Sequence, residues 1–233
     1  EELFFRRHRR YRLSTFKEAF DECYSRHDFM TRYINGLLIS IVHWRNHTAA
    51  VDHYLRVFLP NSIDGGRHIE VGPGHGLLLH LAATDPRCGA AIGWDISEAS
   101  LSATARALKV LGGNSRVALA LRDVFAPEAV EPADSIVLSE VLEHVEQPAL
   151  LLAKLFDHLK PGGRIWVNVP ANSPAPDHLF LLSKPNDLAE LMTGCGFEIT
   201  DQAFFPMTGY GLEQAWRQRL TVNCVVIGRR PKE

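Results

Sequence analysis

The sequence predicts an α/β fold, a doubly wound parallel sheet with helices on both faces, preceded by a helical N-terminal segment. Three observations carry this. From residue 67 onward, short β-rich runs alternate with longer helical ones, the pattern of a parallel sheet with crossover helices. The first run, His68-Ile69-Glu70-Val71, passes into Gly72-Pro73-Gly74-His75-Gly76 and then into the apolar helical stretch that begins at Leu77. Later, Leu159-Lys160-Pro161-Gly162-Gly163 reads as a helix stop and tight turn before a further strand.

Each element follows from its periodicity. Residues 14–58 are helical in pattern: Ile34, Leu37, Leu38 and Ile41 share one face, and Val51, Tyr54, Leu55 and Phe58 repeat it. Pro60-Asn61 and Asp64-Gly65-Gly66 break that run. Strands are expected over 67–71, 90–95, 116–121, 135–138 and 164–169, with two late ones near 198–205 and 220–228. Helices are expected over 77–83, 97–111 and 148–159.

Composition narrows the class. The 233 residues carry a formal charge of −2, which argues against a dedicated nucleic-acid binder. A local basic run of Arg6, Arg7, Arg9, Arg10 and Arg12 reads as a solvated tail or as a docking patch for an acidic carrier protein. The four cysteines are scattered, as in a reducing compartment, and make neither a disulfide framework nor a zinc site. No signal peptide is visible, and the apolar residues 34–42 are too few to span a bilayer. A soluble, cytoplasmic chain without a membrane partner is expected.

The strand ends supply what a nucleoside ligand needs. Glycines at alternate positions let backbone approach a ligand closely, and the helix start behind them aims its amides into the crevice. Asp95 ends the second strand at about the spacing where dinucleotide folds place a ribose-binding carboxylate. Ile96 could pack on an adenine face. Asp123 could accept from an adenine amino group, with the neighbouring amide at Val124 serving a ring nitrogen. Singly, Asp95 reads as a neighbour of the Ser97 helix cap, Asp123 as a turn residue, and Glu140 and Glu143 as solvated groups. The ordered set is what points to a cofactor.

The motifs Glu70-Val-Gly-Pro-Gly-His-Gly76, Gly93-Trp-Asp95-Ile-Ser97, Arg122-Asp123, Ser139-Glu-Val-Leu-Glu-His144 and Leu159-Lys-Pro-Gly-Gly163 resemble the class I S-adenosylmethionine-dependent methyltransferases, most closely their small-molecule branch. The resemblance covers residues 67–228. It implies a Rossmann-like sheet of seven strands with one antiparallel strand near an edge. It implies that Glu70 and the glycine turn (Gly72, Pro73, Gly74 and Gly76) flank the methionine portion of S-adenosyl-L-methionine, Asp95 the ribose and Asp123 the adenine, with Ser139 on the sulfonium side; Ile96 and Val124 join the cofactor-binding set as adenine neighbours. S-adenosyl-L-homocysteine would be the product. A nicotinamide cofactor fits less well, because the glycines run Gly-x-Gly-x-Gly and not Gly-x-Gly-x-x-Gly.

Methyl transfer is an in-line displacement that aligns the acceptor and excludes water. An oxygen or nitrogen acceptor gains from a base, and His144, Asp177 and His178 are the catalytic candidates. The last two lie in a loop stiffened by Pro170, Pro174 and Pro176. His43 and His47 are one helical turn apart, but no third ligand is evident nearby, so no metal site is expected. Residues 1–60 exceed the minimal scaffold, and in the family such additions cover the site. They are read as a lid with Tyr24, Tyr33, His43 and Trp44 lining the acceptor pocket, and 61–233 as the catalytic domain. The expected function is methylation of a small organic acceptor in specialised biosynthesis. Other chemistry on the same cofactor, or binding without turnover, are the alternatives.

Overall fold

The computed structural model describes residues 1–24, 36, 39–61, 63–127 and 130–232, with only the backbone of Tyr24. Seven strands form one sheet in the order β3-β2-β1-β4-β5-β7-β6. They are β1 (Gly66–Val71), β2 (Cys88–Asp95), β3 (Val117–Leu121), β4 (Ala133–Ser139), β5 (Leu159–Ala171), β6 (Glu198–Pro206) and β7 (Val222–Arg229). The first five pair in parallel, and β7 runs antiparallel to both β5 and β6. The order reverses at β1, so the carboxyl ends of β1 and β4 open a crevice where such sheets take their ligands.

Among the described residues the helices include α1 (Glu2–His8), α2 (Phe16–Ala19), α3 (Arg45–His53), α4 (Leu77–Thr84), α5 (Glu98–Val110), α6 (Pro148–Asp157), α7 (Asp187–Gly194) and α8 (Leu212–Gln218). Strand side chains alternate between the two layers, as the period of two requires. Ile136, Leu138, Ile165 and Val167 join the core with α6 and α7, while Val137 and Trp166 join the one with α3 and α4. A wide-wound turn over Tyr54–Phe58 continues α3, and both Tyr54 and Phe58 are buried against the sheet. His53 fixes this helix further: its Nδ1 accepts from Trp166 Nε1 at 3.1 Å and its Nε2 meets Asp201 at 2.7 Å. The end of the 1–60 segment is therefore part of the core.

Sequence and structure differ at three places. β5 starts at Leu159, which pairs with Ala133, and the Lys160-Pro-Gly-Gly turn forms an irregularity within the strand, with Gly162 left-handed at φ 80°. α7 and α8 are helices that the strand-dominated reading of the C-terminal third omits. Among the described residues no helix is long and apolar enough to cross a membrane.

Candidate active site

The glycine turn follows β1 with three left-handed residues, Gly72, Gly74 and Gly76, at φ 66°, 50° and 73°. Gly72 has no room for a side chain: a Cβ there would stand 2.6 Å from Val141 Cγ2. Gly74 differs, since a Cβ would enter open space at the mouth of the turn. The turn is pinned by Gly72 N–H donating to Trp94 O at 2.8 Å and by Thr104 Oγ1 donating to Gly74 O at 2.6 Å. Pro73 is buried, with its Cγ 3.1 Å from where a Gly93 Cβ would lie.

Glu70 sits beneath this turn, 3 % exposed, with Oε2 lacking any hydrogen bond. Burial pushes its carboxyl up to about 8, against the amide of Leu79, which favours the ionised form. A buried, half-partnered carboxylate suits a cationic ligand group. His75 is held near 4 by burial, and its Nδ1 accepts from the Leu77 amide. His47 on α3 is lowered to about 4 by burial and, secondarily, by His75, which places the N-terminal helix beside the turn.

At the next two strand ends, Asp95 accepts from Ser97 N–H at 2.9 Å and from Ser100 Oγ at 2.6 Å. It thus braces the start of α5 through one contact per oxygen, with lone pairs left for ribose hydroxyls. Ile96 is 61 % exposed and Asp123 is exposed, with Oδ1 accepting from Phe125 N–H at 2.9 Å. The Val124 side chain turns into the core beside Trp94, so only its backbone can face a ligand.

The ends of β4, β5 and β7 meet in a polar network that the sequence reading did not find. Ser139 Oγ accepts from Asn168 Nδ2 at 3.1 Å. Glu140, left-handed at φ 55°, directs Oε1 at Asn168 Nδ2 (2.9 Å) and Asn223 Nδ2 (2.7 Å). Asn46 of α3 closes the chain by donating to Asn223 Oδ1 at 2.7 Å. Burial raises the Glu140 carboxyl to about 7 despite both amides. Signals existed: Asn168 and Asn223 interrupt apolar strands, where a buried polar residue needs partners.

The three catalytic candidates do come together. His144 and His178 pack edge to face with centroids 4.9 Å apart, and His144 Nδ1 is 3.2 Å from Asp177 O and 3.5 Å from Asp177 Oδ2. Burial holds His178 near 4 and so neutral. Glu143 is fully buried beside them and is not a solvated group; burial and the negative charge of Glu140 raise its carboxyl well above the usual range. Glu143, His144 and His178 each offer a donor atom within 4.8 Å of the others, a constellation able to hold a metal ion. Tyr11 packs on His178 at 5.5 Å, and its hydroxyl accepts from Ser173 N–H at 3.1 Å. Of the pocket-lining candidates, His43 and Trp44 are exposed. Tyr33 and the Tyr24 side chain lie outside the described residues.

A second cleft, about 600 Å³, opens at the other end of the sheet beside Asp134 and Arg229. Those charges are already satisfied, Asp134 by Lys160 and Arg229 by Glu198. The chemistry gathers at the glycine-turn rim.

Fold and rim together define a class I S-adenosylmethionine-dependent methyltransferase. The chain belongs to this family: the model described as a methyltransferase domain matches residues 42–203. Among curated relatives, the ubiquinone biosynthesis O-methyltransferase of Rhizobium etli (strain CIAT 652) is 28% identical over 199 residues, covering 74% of this chain and 76% of its own. That of Dinoroseobacter shibae is 27% identical over 198 residues, covering 74% and 76%. The N-methyltransferase NodS of Bradyrhizobium japonicum WM9, solved with S-adenosyl-L-homocysteine, shares the fold at TM-score 0.57 and 17% identity, over 80% of this chain and 86% of its own. The [4+2]-cyclase SpnF shares it at TM-score 0.63 and 18% identity, over 78% and 81%. S-adenosyl-L-methionine is the cofactor, and when bound it supplies an electrophilic methyl group.

Proposed function

We propose that this enzyme methylates an oxygen or nitrogen of a small organic acceptor in a biosynthetic pathway. The observation that carries the reading is Glu140, a half-buried carboxylate clamped by two asparagine amides at the strand end beside Ser139. Glu70 and the glycine turn would hold the amino-acid end of the cofactor, Asp95 the ribose, and Asp123 with the Val124 amide the adenine. Glu140 takes the proton from the acceptor's hydroxyl or ammonium group, since a group near pKa 7 accepts it readily at neutral pH. His144 is the partly exposed member of the three catalytic candidates and would face the acceptor, with the buried Asp177 and His178 packed against it to fix its ring. The relatives named O-methyltransferases favour an oxygen acceptor, a phenol above all.

Tyr11, bonded to the loop after β5, and Asn46, bonded to β7, support the reading of residues 1–60 as a cover over the acceptor. Such a cover excludes water and selects small molecules. The exposed arginines of 6–12 leave a carrier protein open as the form in which the acceptor arrives. The test is incubation with methyl-labelled cofactor and a panel of small phenols and amines. Labelled small products with S-adenosyl-L-homocysteine support the reading. Label only in polymers contradicts it, and methylthioadenosine identifies the alternative, in which another sulfonium carbon is attacked.

A further inference from the structure

At the end of the sheet opposite the glycine turn, two arginines stand side by side. Arg164 of β5 is in register with Arg229 of β7 and, on its other side, with Ser135 of β4. Residues directly opposed in an antiparallel pair share one face with Cβ atoms about 5 Å apart, and like charges there work against the pairing. Arg229 is relieved by a neighbour: its Nε and Nη2 donate to Glu198 Oε2 at 3.0 and 2.5 Å. Arg164 has no such relief. Its guanidinium lies over the Phe58 ring at 5.8 Å, and among the described residues its side chain makes no hydrogen bond or ion pair. Burial pushes the guanidinium down, Asp201 works against that shift, and Arg229 adds to it. The Asp201 carboxylate is itself engaged, at 2.7 Å from His53 Nε2.

Both arginines line the cleft of about 600 Å³, a size that takes a small molecule. Because the Arg164 nitrogens are unpartnered and yet not sealed from solvent, they open into it. Lys232 lies across the Gly162 turn in the same lining, its Cε 3.0 Å from where a Cβ at Gly162 would stand. It is exposed and has no ion pair among the described residues. The carboxylate in the lining, Asp134, is occupied: its Oδ2 accepts from Lys160 Nζ and from the Arg67 amide, both at 2.8 Å. Two cations thus face the cleft with no carboxylate to balance them. A guanidinium keeps its charge even when partly buried, and its planar fork suits the oxygens of one anion.

We propose that this cleft binds the phosphate group of a small-molecule ligand, held by Arg164 and Lys232 with Arg229 beside them. A phosphate carries the double charge that two cations balance, and its several oxygens can accept from both at once. The site lies at the far end of the sheet from the cofactor rim and is independent of the acceptor chemistry proposed above. One segment spans the two ends: Asn46 bonds Asn223 near the rim, and Phe58 lies under Arg164 at the cleft. A ligand in the cleft would therefore bear on the covering segment.

The test is calorimetric titration of the full chain with inorganic pyrophosphate at low ionic strength, with S-adenosyl-L-homocysteine present to occupy the rim. One equivalent should bind. Arg164→Gln should weaken binding by about ten- to a hundredfold, from the loss of charge-assisted hydrogen bonds. Lys232→Gln changes only an exposed side chain, so it decides the matter if Arg164→Gln fails to fold, and it should weaken binding about threefold. Arg106→Gln on the exposed face of α5 should leave binding unchanged. Pyrophosphate should raise the melting temperature of the wild type and not that of Arg164→Gln. ADP titrated in parallel names the source: tighter binding than pyrophosphate assigns the site to an organic phosphate, weaker binding to an inorganic one. Uptake of neither phosphate, uptake undiminished in the folded Arg164→Gln and Lys232→Gln chains, uptake lost in Arg106→Gln, or citrate bound more tightly than both phosphates would overturn the proposal. S-adenosyl-L-homocysteine titrated alone reports the rim, so failure there is distinguishable from failure at the cleft.

Discussion

Asn223 on β7 donates its side-chain amide to Glu140 Oε1 at 2.7 Å, across 83 residues of sequence. The same residue accepts from Asn46 of α3, so one amide joins Glu140 at the end of β4 to the N-terminal segment. Because the donor stabilises the ionised form of Glu140, its loss should move that group's titration upward. Asn223→Leu is expected to destabilise the fold by about 2 kcal/mol, through the orphaned Asn46 and Asn168 groups. It should also shift the acid limb of the activity profile to higher pH. A pH–rate profile beside a urea titration separates the two effects.

As the proposed base, Glu140 would act only when ionised, and its carboxyl is raised to about 7. Turnover should therefore climb as pH rises through about 7 and level off above it. Glu140→Gln should lower kcat by about 10²–10⁴ and flatten that limb. An unchanged limb in the variant would assign the titration to another group.

Gly74 and Gly113 make a matched pair. Both are left-handed, at φ 50° and 63°, and neither would bring a Cβ into close contact within the chain. Alanine at each should cost about 1 kcal/mol from the backbone alone. Gly74→Ala should additionally weaken binding of S-adenosyl-L-homocysteine, because its methyl group enters the crevice. Equal affinity in the two variants would take Gly74 away from the ligand.

Glu70 links the site to stability. Its folded carboxyl, near 8, stands above the ordinary value of 4.5, so ionisation works against the ligand-free fold. The penalty is absent below about pH 4.5, grows as pH rises, and is complete above about 8. Glu70→Gln should match the wild type at pH 4 and be more stable at pH 9, by up to about 5 kcal/mol. The same variant should bind cofactor less well. Denaturant titrations at the two pH values check this.

The sheet was legible because its strands are apolar and its punctuation is strong. Predicted β1 (67–71) and β4 (135–138) fall within Gly66–Val71 and Ala133–Ser139, and Asp95, Asp123 and Ser139 stand at or just past the carboxyl ends of β2, β3 and β4. The acceptor side was less legible. Glu140 and Glu143 look solvated in a polar stretch of sequence, and only the fold shows Asn168, Asn223 and Asn46 converging from β5, β7 and α3. Tyr11 was likewise hidden in a basic run, although it is 4 % exposed and bonded to Ser173. Local periodicity reports burial along one element. It carries no record of which distant polar groups will meet.

The central claim is that the β1–β4 rim grips an adenosyl sulfonium, and calorimetric titration with S-adenosyl-L-homocysteine tests it most directly. The wild-type chain should bind one equivalent, and Asp95→Ala should bind about a hundredfold more weakly, from the loss of charge-assisted hydrogen bonds to the ribose. A folded wild-type chain that takes up none of the nucleoside, or an Asp95→Ala chain with undiminished affinity, would contradict it.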